Sequence, residues 1–591
     1  RNLTVIHDAL EMIRENRGID LDINKIPSED EETCKMLCDG DTIGVFQSES
    51  SGFTSLLMQL HPERFEDLIP MVALYRPGPL GSGMAEDFIK RKHGKIPVEY
   101  PHPSLEPILK ETYGVILYQE QVMQIASVMG GFSLGQADML RRAMGHKEPE
   151  ILQQNRETFV DGAVANGVDD RTANYVFDLM VHFAGYGFNK SHSVCYGWIA
   201  WQTAYLKAHY RPEFMAAMMT CYNGDRDKVS RYISDTRRAG VVIAAPDVNL
   251  SEAYFSVKGD KILFGLDGIQ NVGEGAVRSI IEARKQGGPF KSLSDFVERA
   301  DNRGLNSRAC ESLIRCGALD SLGANRSQLL AALPEALGDA QSIRNERASG
   351  QLNLFGGEET PETIVYPDLP DMDPKEKIEW ERKLLGFYVS GHPLDSYKEQ
   401  LKACTPLYHL TAEGNQYDGR MVTIGGTISR IKGTMTKKGQ PMGYVTIEDY
   451  DGEVETVVFP SVWETVRPIL AEDAAVAIRG RVQANERDVR VLAEEIIPLD
   501  KLRASAPSPA GVLHLYIDAA HDSNEVSQRL AGLFQKHHGK TPVIMHMMRT
   551  GQEIHAAPKF YVNYSSEAER DFRMLLGERA VALRNSGSGN I

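Results

Sequence analysis

"FAGYGFNKSHSVCYGWIAWQTAYLKAHY", residues 183 to 210, changes character at its middle. Gly185 and Gly187 flank Tyr186, and Asn189, Lys190, Ser191 and His192 then crowd the start of a helix. From Ser193 on the pattern is an apolar helix with a polar start. A helix N-terminus has unpaired N–H groups, and a lysine and small hydroxyls beside it suit a phosphate. Tyr186 has a ring that can stack on a base or sugar. The plainer reading makes Asn189 or Ser191 an N-cap and Tyr186 a core residue.

The same helical periodicity fills residues 1 to 225. "YQEQVMQIASVMGGF" sets Val122, Ile125, Ala126 and Met129 at helical spacing, and Gly130-Gly131 stops the helix. Residues 226 to 345 alternate short strands, glycine turns and helices. A short hydrophobic peptide and acidic linker occupy 346 to 378, and a connecting helical segment 379 to 417. Residues 418 to 500 alternate apolar and polar with regular glycine turns, which suggests a small barrel. Residues 511 to 591 read as a mixed α/β unit, with "VLHLYID", "TPVIMHMM" and "FYVNY" as strands and a helix near Ser523–Gln535. The expected fold class is multidomain α+β: an α-rich domain, a tandem helix-hairpin-helix module, an OB-type β-barrel and a small C-terminal α/β domain.

A chain of 591 residues is too long for one core. No apolar run approaches the length of a bilayer span, and nothing near Arg1 resembles a signal peptide. Seven scattered cysteines, with Cys34 and Cys38 the closest to a metal spacing but without partners, read as reduced thiols. A cytoplasmic protein without a membrane partner is expected. The net charge of −16 leaves room only for local basic patches as nucleic-acid contacts.

Four further constellations carry chemistry. "MLRRAMGHK" brings Arg141, Arg142 and Lys147 within two turns, and guanidinium forks grip phosphate oxygens; the alternative is a solvated basic face. "IQNVGEGAVRSII" resembles a helix-hairpin-helix turn. Gly273 and Gly275 would let the backbone approach a phosphate, with Arg278 behind them; packing glycines are the alternative. "RMVTIGGTISRIKGTMTKKGQ" has five basic residues and no acid over 420–440. Arg430, Lys432, Lys437 and Lys438 would track a single strand along a barrel face. Tyr444 and Phe459 would stack bases or fill the barrel core. Asp20 and Asp22 share a face on an extended chain, a pattern found in two-metal sites, yet no third acid joins them.

"GQLNLFGG", residues 350 to 357, puts Leu352, Leu354 and Phe355 beside a stretch with six acids, four prolines and no lysine or arginine from Glu358 to Pro374. Such a stretch is not expected to order itself. The hydrophobes either fold back on a neighbour or enter another protein's pocket.

Together "YRPGPL", "YGVILYQEQVMQIA", "ADMLRRAMGHK" and the opening stretch resemble the fingers of the C-family bacterial replicative DNA polymerases, the family of the DNA polymerase III alpha subunit. The resemblance covers essentially the whole chain. It implies fingers first, then the helix-hairpin-helix module on duplex DNA, an internal sliding-clamp peptide, an OB domain for single-stranded template, and a C-terminal domain like the one that binds the tau subunit of the clamp loader. "QLNLF" matches the clamp pattern, with Gln351 in a polar subsite and Leu354 and Phe355 as anchors. Arg141 and Arg142 would face the incoming dNTP. Tyr186, Asn189, Lys190 and His192 would line the nucleotide or primer-template surface, with Arg76 a weaker candidate.

The resemblance also implies template-directed nucleotidyl transfer to a primer 3′-OH by two Mg²⁺ ions. Three palm aspartates would hold those ions, and their paired motif is absent here. The chain is therefore expected to be the C-terminal half of a polymerase, inactive alone, with no catalytic or metal residue of its own. The alternative is a non-catalytic adaptor that binds clamp and DNA.

Overall fold

Two consecutive helices, Lys190–His209 and Arg211–Cys221, bury residues on nearly every side from Gly197 onward, while the first two turns of Lys190–His209 keep an exposed face. Trp201, Leu206, Phe214, Met215 and Met219 are fully buried. Asn189 starts the first helix by accepting the His192 N–H at 2.8 Å. Pro212 sits in the first turn of the second, where a missing N–H costs nothing. Lys207 is buried between them; its ammonium pairs with Asp41 and Asp235 and donates to the Ile43 carbonyl at 2.8 Å. Helix Asn2–Arg17 packs on Arg211–Cys221, with Arg17 on the buried carboxylate of Glu213.

The computed structural model describes residues 1–146, 149–184, 187–300, 305–349, 365–412, 417–436, 438–450, 452–484, 489–502, 512–517, 524–548, 552–562, 566–577 and 580–584. These fall into two compact units, one running Arg1–Pro393 and the other covering nearly all of the chain from Leu394.

The first unit continues from the buried helices into Arg226–Arg238 and a three-stranded sheet. Val242–Ala244 pairs parallel with Lys261–Leu263, which pairs antiparallel with Ser256–Lys258. Helices Glu274–Gly287, Leu293–Arg299, Ser307–Arg315 and Arg326–Ser349 follow. Gly317 (φ 87°) and Gly323 (φ 85°) make the turn between the last two. From Val365 the chain has a fixed path on these helices, contrary to the expectation of a linker that does not order. Leu293 N–H donates to the Tyr366 hydroxyl, Gln328 to the Pro367 carbonyl and Asn325 to the Leu369 carbonyl, and Met372 is buried. The helix to which this path leads, Pro374–Leu385, places Glu381 against Arg326 in a buried ion pair at 3.1 Å.

In the second unit five strands close a barrel in the order Met421–Met435, Pro441–Glu448, Glu453–Val458, Val489–Pro498, Ala475–Ala484. Ile424, Ile428, Val445, Ile447, Val458, Ile478 and Val491 fill it. Helix Pro460–Val466 lays Trp463 against Gly443. The last residues form a four-stranded sheet in the order Gln552–His555, Val543–Met547, Val512–Ile517, Val581–Arg584. Helices Asn524–Lys536 and Ser566–Leu576 supply Leu530, Phe534 and Phe572 to its core. Of "FYVNY" the described residues are Phe560, Tyr561 and Val562, and they form no regular strand. Pro558–Phe560 is a turn of 3₁₀ helix, and Val562 bridges singly to His538 and Thr541. Among the described residues no helix is long and apolar enough to cross a membrane.

Candidate nucleic-acid interface

Helix Leu134–His146 carries the arginine pair on one face, because Asp138, Arg141 and Arg142 are three and four residues apart. Arg141 donates from Nε and Nη2 to Asp138 Oδ1 at 3.0 and 2.8 Å, and from Nη1 to Gln119 Oε1 at 3.3 Å. Arg142 reaches Asp138 Oδ2 at 2.9 Å and leaves 67% of its side chain exposed. Hydrogen bonding from Arg141, then the charges of both arginines, holds the Asp138 carboxyl below its ordinary pKa.

Gln119 ties this helix to the loop of the opening sequence stretch. Its side chain donates to the Gly187 carbonyl at 3.0 Å, and its backbone N–H to the Phe188 carbonyl at 2.9 Å. Tyr118 and Phe188 form a single parallel bridge beside it.

The start of helix Lys190–His209 is not the open anion site expected from the sequence. The carboxylate of Glu120 already occupies it, accepting from Lys190 N–H and from Asn189 Nδ2, each at 2.9 Å. Lys190 Nζ is bound by both oxygens of Glu111, at 2.8 and 2.7 Å. Glu111, Glu120 and Lys190 line a cleft of about 410 Å³ with Pro107, Ile108 and Gln124. His192, a candidate because it crowds the start of this helix, stands in an aromatic strip of residues four apart. Phe188 meets His192 edge-on at 5.2 Å, and His192 stacks on Tyr196 at 4.0 Å. Phe46 continues the strip at 5.4 Å, and the Arg76 guanidinium covers Phe188 at 4.8 Å. Arg76 and His192 are exposed. Phe188 and Tyr196 were legible as helical neighbours of His192; Phe46 had no local signal.

In the helix-hairpin-helix region, Gly273 is the N-cap of Glu274–Gly287, and no side chain caps that terminus. Gly273, Gly275 and Arg278 are exposed, and Arg278 pairs with Glu274 at 2.8 Å. On the barrel, Arg430, Lys432 and Lys438 are exposed. A bulge lies between Ile428 and Arg430, and beyond it Lys432 stands opposite Tyr444. Tyr444 lies between the inward-facing Gly443 and Val445 and so points away from the core, and Phe459 is exposed. Asp22 is engaged with Lys25 at 2.9 Å. All seven cysteines are unpaired. Lys147, Tyr186, Lys437 and the peptide residues Gln351, Leu352, Leu354 and Phe355 lie outside the described residues.

Three family models match along the chain. Residues 2–167 match the bacterial DNA polymerase III alpha subunit finger domain, 240–329 the helix-hairpin-helix motif, and 422–499 the OB-fold nucleic acid binding domain. The DNA polymerase III subunit alpha of Thermus aquaticus is 40% identical over 602 residues, covering 100% of this chain and 48% of that protein. The chain belongs to the DNA polymerase III alpha-subunit family. Relatives from Bacillus subtilis and Escherichia coli K12, each 38% identical, cover 99% of this chain and 52% of their own lengths. The chain thus spans about half the length of the curated relatives it matches. The arginine helix Leu134–His146 lies inside the matched finger domain. The uncapped glycine turn at Gly273 lies inside the matched helix-hairpin-helix motif, and the bulged basic hairpin inside the OB-fold domain.

Proposed function

We propose that this chain is the nucleotide- and DNA-handling part of a bacterial replicative DNA-directed DNA polymerase. The observation that carries the reading is the 40% identity to an alpha subunit across the whole chain. Within it, residues 1–225 act as fingers, 226–345 as the duplex-binding module, 346–378 as clamp peptide and linker, 379–417 as a connector, 418–500 as the single-strand barrel and 511–591 as the clamp-loader contact.

Arg141 and Arg142 bind the triphosphate of the incoming dNTP. Arg142 is exposed and, among the described residues, pairs with a carboxylate on its own helix, so it can turn to a ligand at little cost. The helix terminus at Asn189 and Lys190 is a structural latch in this reading, because Glu120 fills it. The strip from Arg76 to Phe46 is a stacking surface for the primer-template. Backbone N–H groups after Gly273 hold duplex phosphates, and Arg430, Lys432 and Lys438 hold the single strand.

Two Mg²⁺ ions would activate the primer hydroxyl and stabilise the transferring phosphate. The residues present here do not fit them. Mg²⁺ takes oxygen ligands, often carboxylates. Among the described residues the one triad of potential ligands, His7, Asp8 and Glu11, includes an imidazole and lies along the first helix. The ions belong with palm carboxylates outside this chain, and the chain alone extends no primer.

The reading is tested with Arg142→Ala. A triphosphate making charge-assisted hydrogen bonds to this guanidinium loses about 2 kcal/mol, some 30-fold in affinity. Duplex binding stays within twofold. Equal losses for dNTP and duplex would make Arg142 a general phosphate contact and sink the assignment.

A further inference from the structure

Asp138 spends both carboxylate oxygens on the two arginines. Oδ1 takes two donors from Arg141, and Oδ2 takes one from Arg142. The contacts stay within one helix and 67% of the Arg142 side chain is exposed, so the pairing supports the fold only weakly. It does, however, take up donors that a phosphate would need. Arg141 has a second, uncharged holder: Gln119 Oε1, at 3.3 Å, would keep its guanidinium in place if the carboxylate let go.

We propose that Asp138 is an internal competitor for the triphosphate, a placeholder anion that an incoming polyphosphate must displace from Arg141 and Arg142. The proposal rests on the reading of these arginines as triphosphate contacts. The displaced carboxylate remains nearby and repels whatever anion replaces it. That repulsion grows with the charge of the incoming anion, and a ligand that grips both guanidiniums must displace both carboxylate contacts. Asp138 thereby holds down polyphosphate affinity more than orthophosphate affinity, and keeps both guanidiniums placed until a ligand able to grip the two arrives.

The test is binding of inorganic tripolyphosphate and of orthophosphate to the full chain, comparing the native protein, Asp138→Asn and Arg142→Ala. The amide keeps the size of the side chain and removes its charge. Asp138→Asn is expected to bind tripolyphosphate about fivefold tighter and to prefer it more over orthophosphate, with an unchanged melting curve. Unchanged or weaker binding in Asp138→Asn, together with weaker binding in Arg142→Ala, overturns the competitor role and leaves the triphosphate reading standing. Unchanged binding in Arg142→Ala, or none by any of the proteins, overturns both. A purely structural Asp138 would lower the melting temperature and would not alter the ratio of the two anions.

Discussion

The two hairpins of the tandem module use glycine for opposite reasons, and substituting alanine in each separates them. Gly273 has φ −83°, which any residue adopts, and a Cβ added there meets no atom within 4 Å. The fold has no need of glycine at that position. Gly317 has φ +87°, and its added Cβ would lie 2.3 Å from Arg326 Nη2. Gly317→Ala therefore costs about 1–2 kcal/mol for the left-handed backbone, plus the displacement of a buried guanidinium. Gly273→Ala costs about 0.5 kcal/mol as a poorer N-cap. Its methyl group instead stands where a phosphate would approach the N–H groups of Glu274 and Gly275. Losing that charge-assisted contact weakens duplex binding by about 2 kcal/mol, roughly 30-fold, and flattens the slope of log K against log salt by about one. Fluorescence anisotropy with two duplexes of unrelated sequence, at several salt concentrations, reads both quantities, and urea unfolding reads the stabilities. Unchanged duplex affinity in Gly273→Ala would refute the backbone contact. So would a loss confined to one sequence, because N–H groups on phosphate carry no base information.

Other perturbations reach different parts of the chain. Glu381→Ala leaves Arg326 with Asp320, at 2.9 Å, as its one carboxylate partner among the described residues, and strips the acceptor from the Val389 and Ser390 N–H groups, which lie 3.0 and 2.8 Å from the carboxylate. Unfolding of the first unit should become easier by about 2–3 kcal/mol, the cost of leaving buried donors unsatisfied while Asp320 still balances the charge, and a loss below 1 kcal/mol by urea titration would contradict the packing argument. Burial alone would raise the Asp41 pKa, but Lys207 and then Arg211 outweigh it and hold the carboxyl below 3.8. A depressed folded pKa contributes stability that is present above the unfolded value and lost as pH falls through the folded one. Asp41→Asn should therefore flatten the fall in stability below about pH 4, and an unchanged acid limb would remove Asp41 from that role. Phe355→Ala should weaken sliding-clamp binding by about 2 kcal/mol or more with duplex binding intact, and unchanged clamp affinity would return the peptide to a fold-back role.

What was legible in the sequence was local. Asn189 as an N-cap, the arginine pair on one helix face and the glycine turn before Glu274 all follow from residues within four positions of each other. What escaped was long-range. Glu120 reaches Asn189 and Lys190 across 69 and 70 residues, and an anion-friendly helix terminus looks the same in sequence whether a ligand or a glutamate fills it. Phe46 joins the aromatic strip from a loop that nothing local connects to Tyr196. Composition misled at Val365–Asp373, because hydrogen bonds from Leu293, Asn325 and Gln328 hold a segment with little apolar surface of its own.

The barrel hairpin shows a long-range feature that did leave a sequence trace. Val422, Ile424 and Ile428 are buried at even positions, and strict alternation would then send Arg430 and Lys432 inward as well. Two charges without partners in that core would be intolerable. The pairing register shifts between Ile428 and Arg430, so Ser429 is the extra residue. Past it Ile431 stands opposite the buried Val445, while Arg430 and Lys432 come out opposite Thr446 and Tyr444. The apolar positions switch from even to odd between Ile428 and Ile431, and that change of phase is readable in the sequence. The basic strip therefore depends on one inserted serine, whose conformation sets the direction of every charged side chain beyond it on that strand.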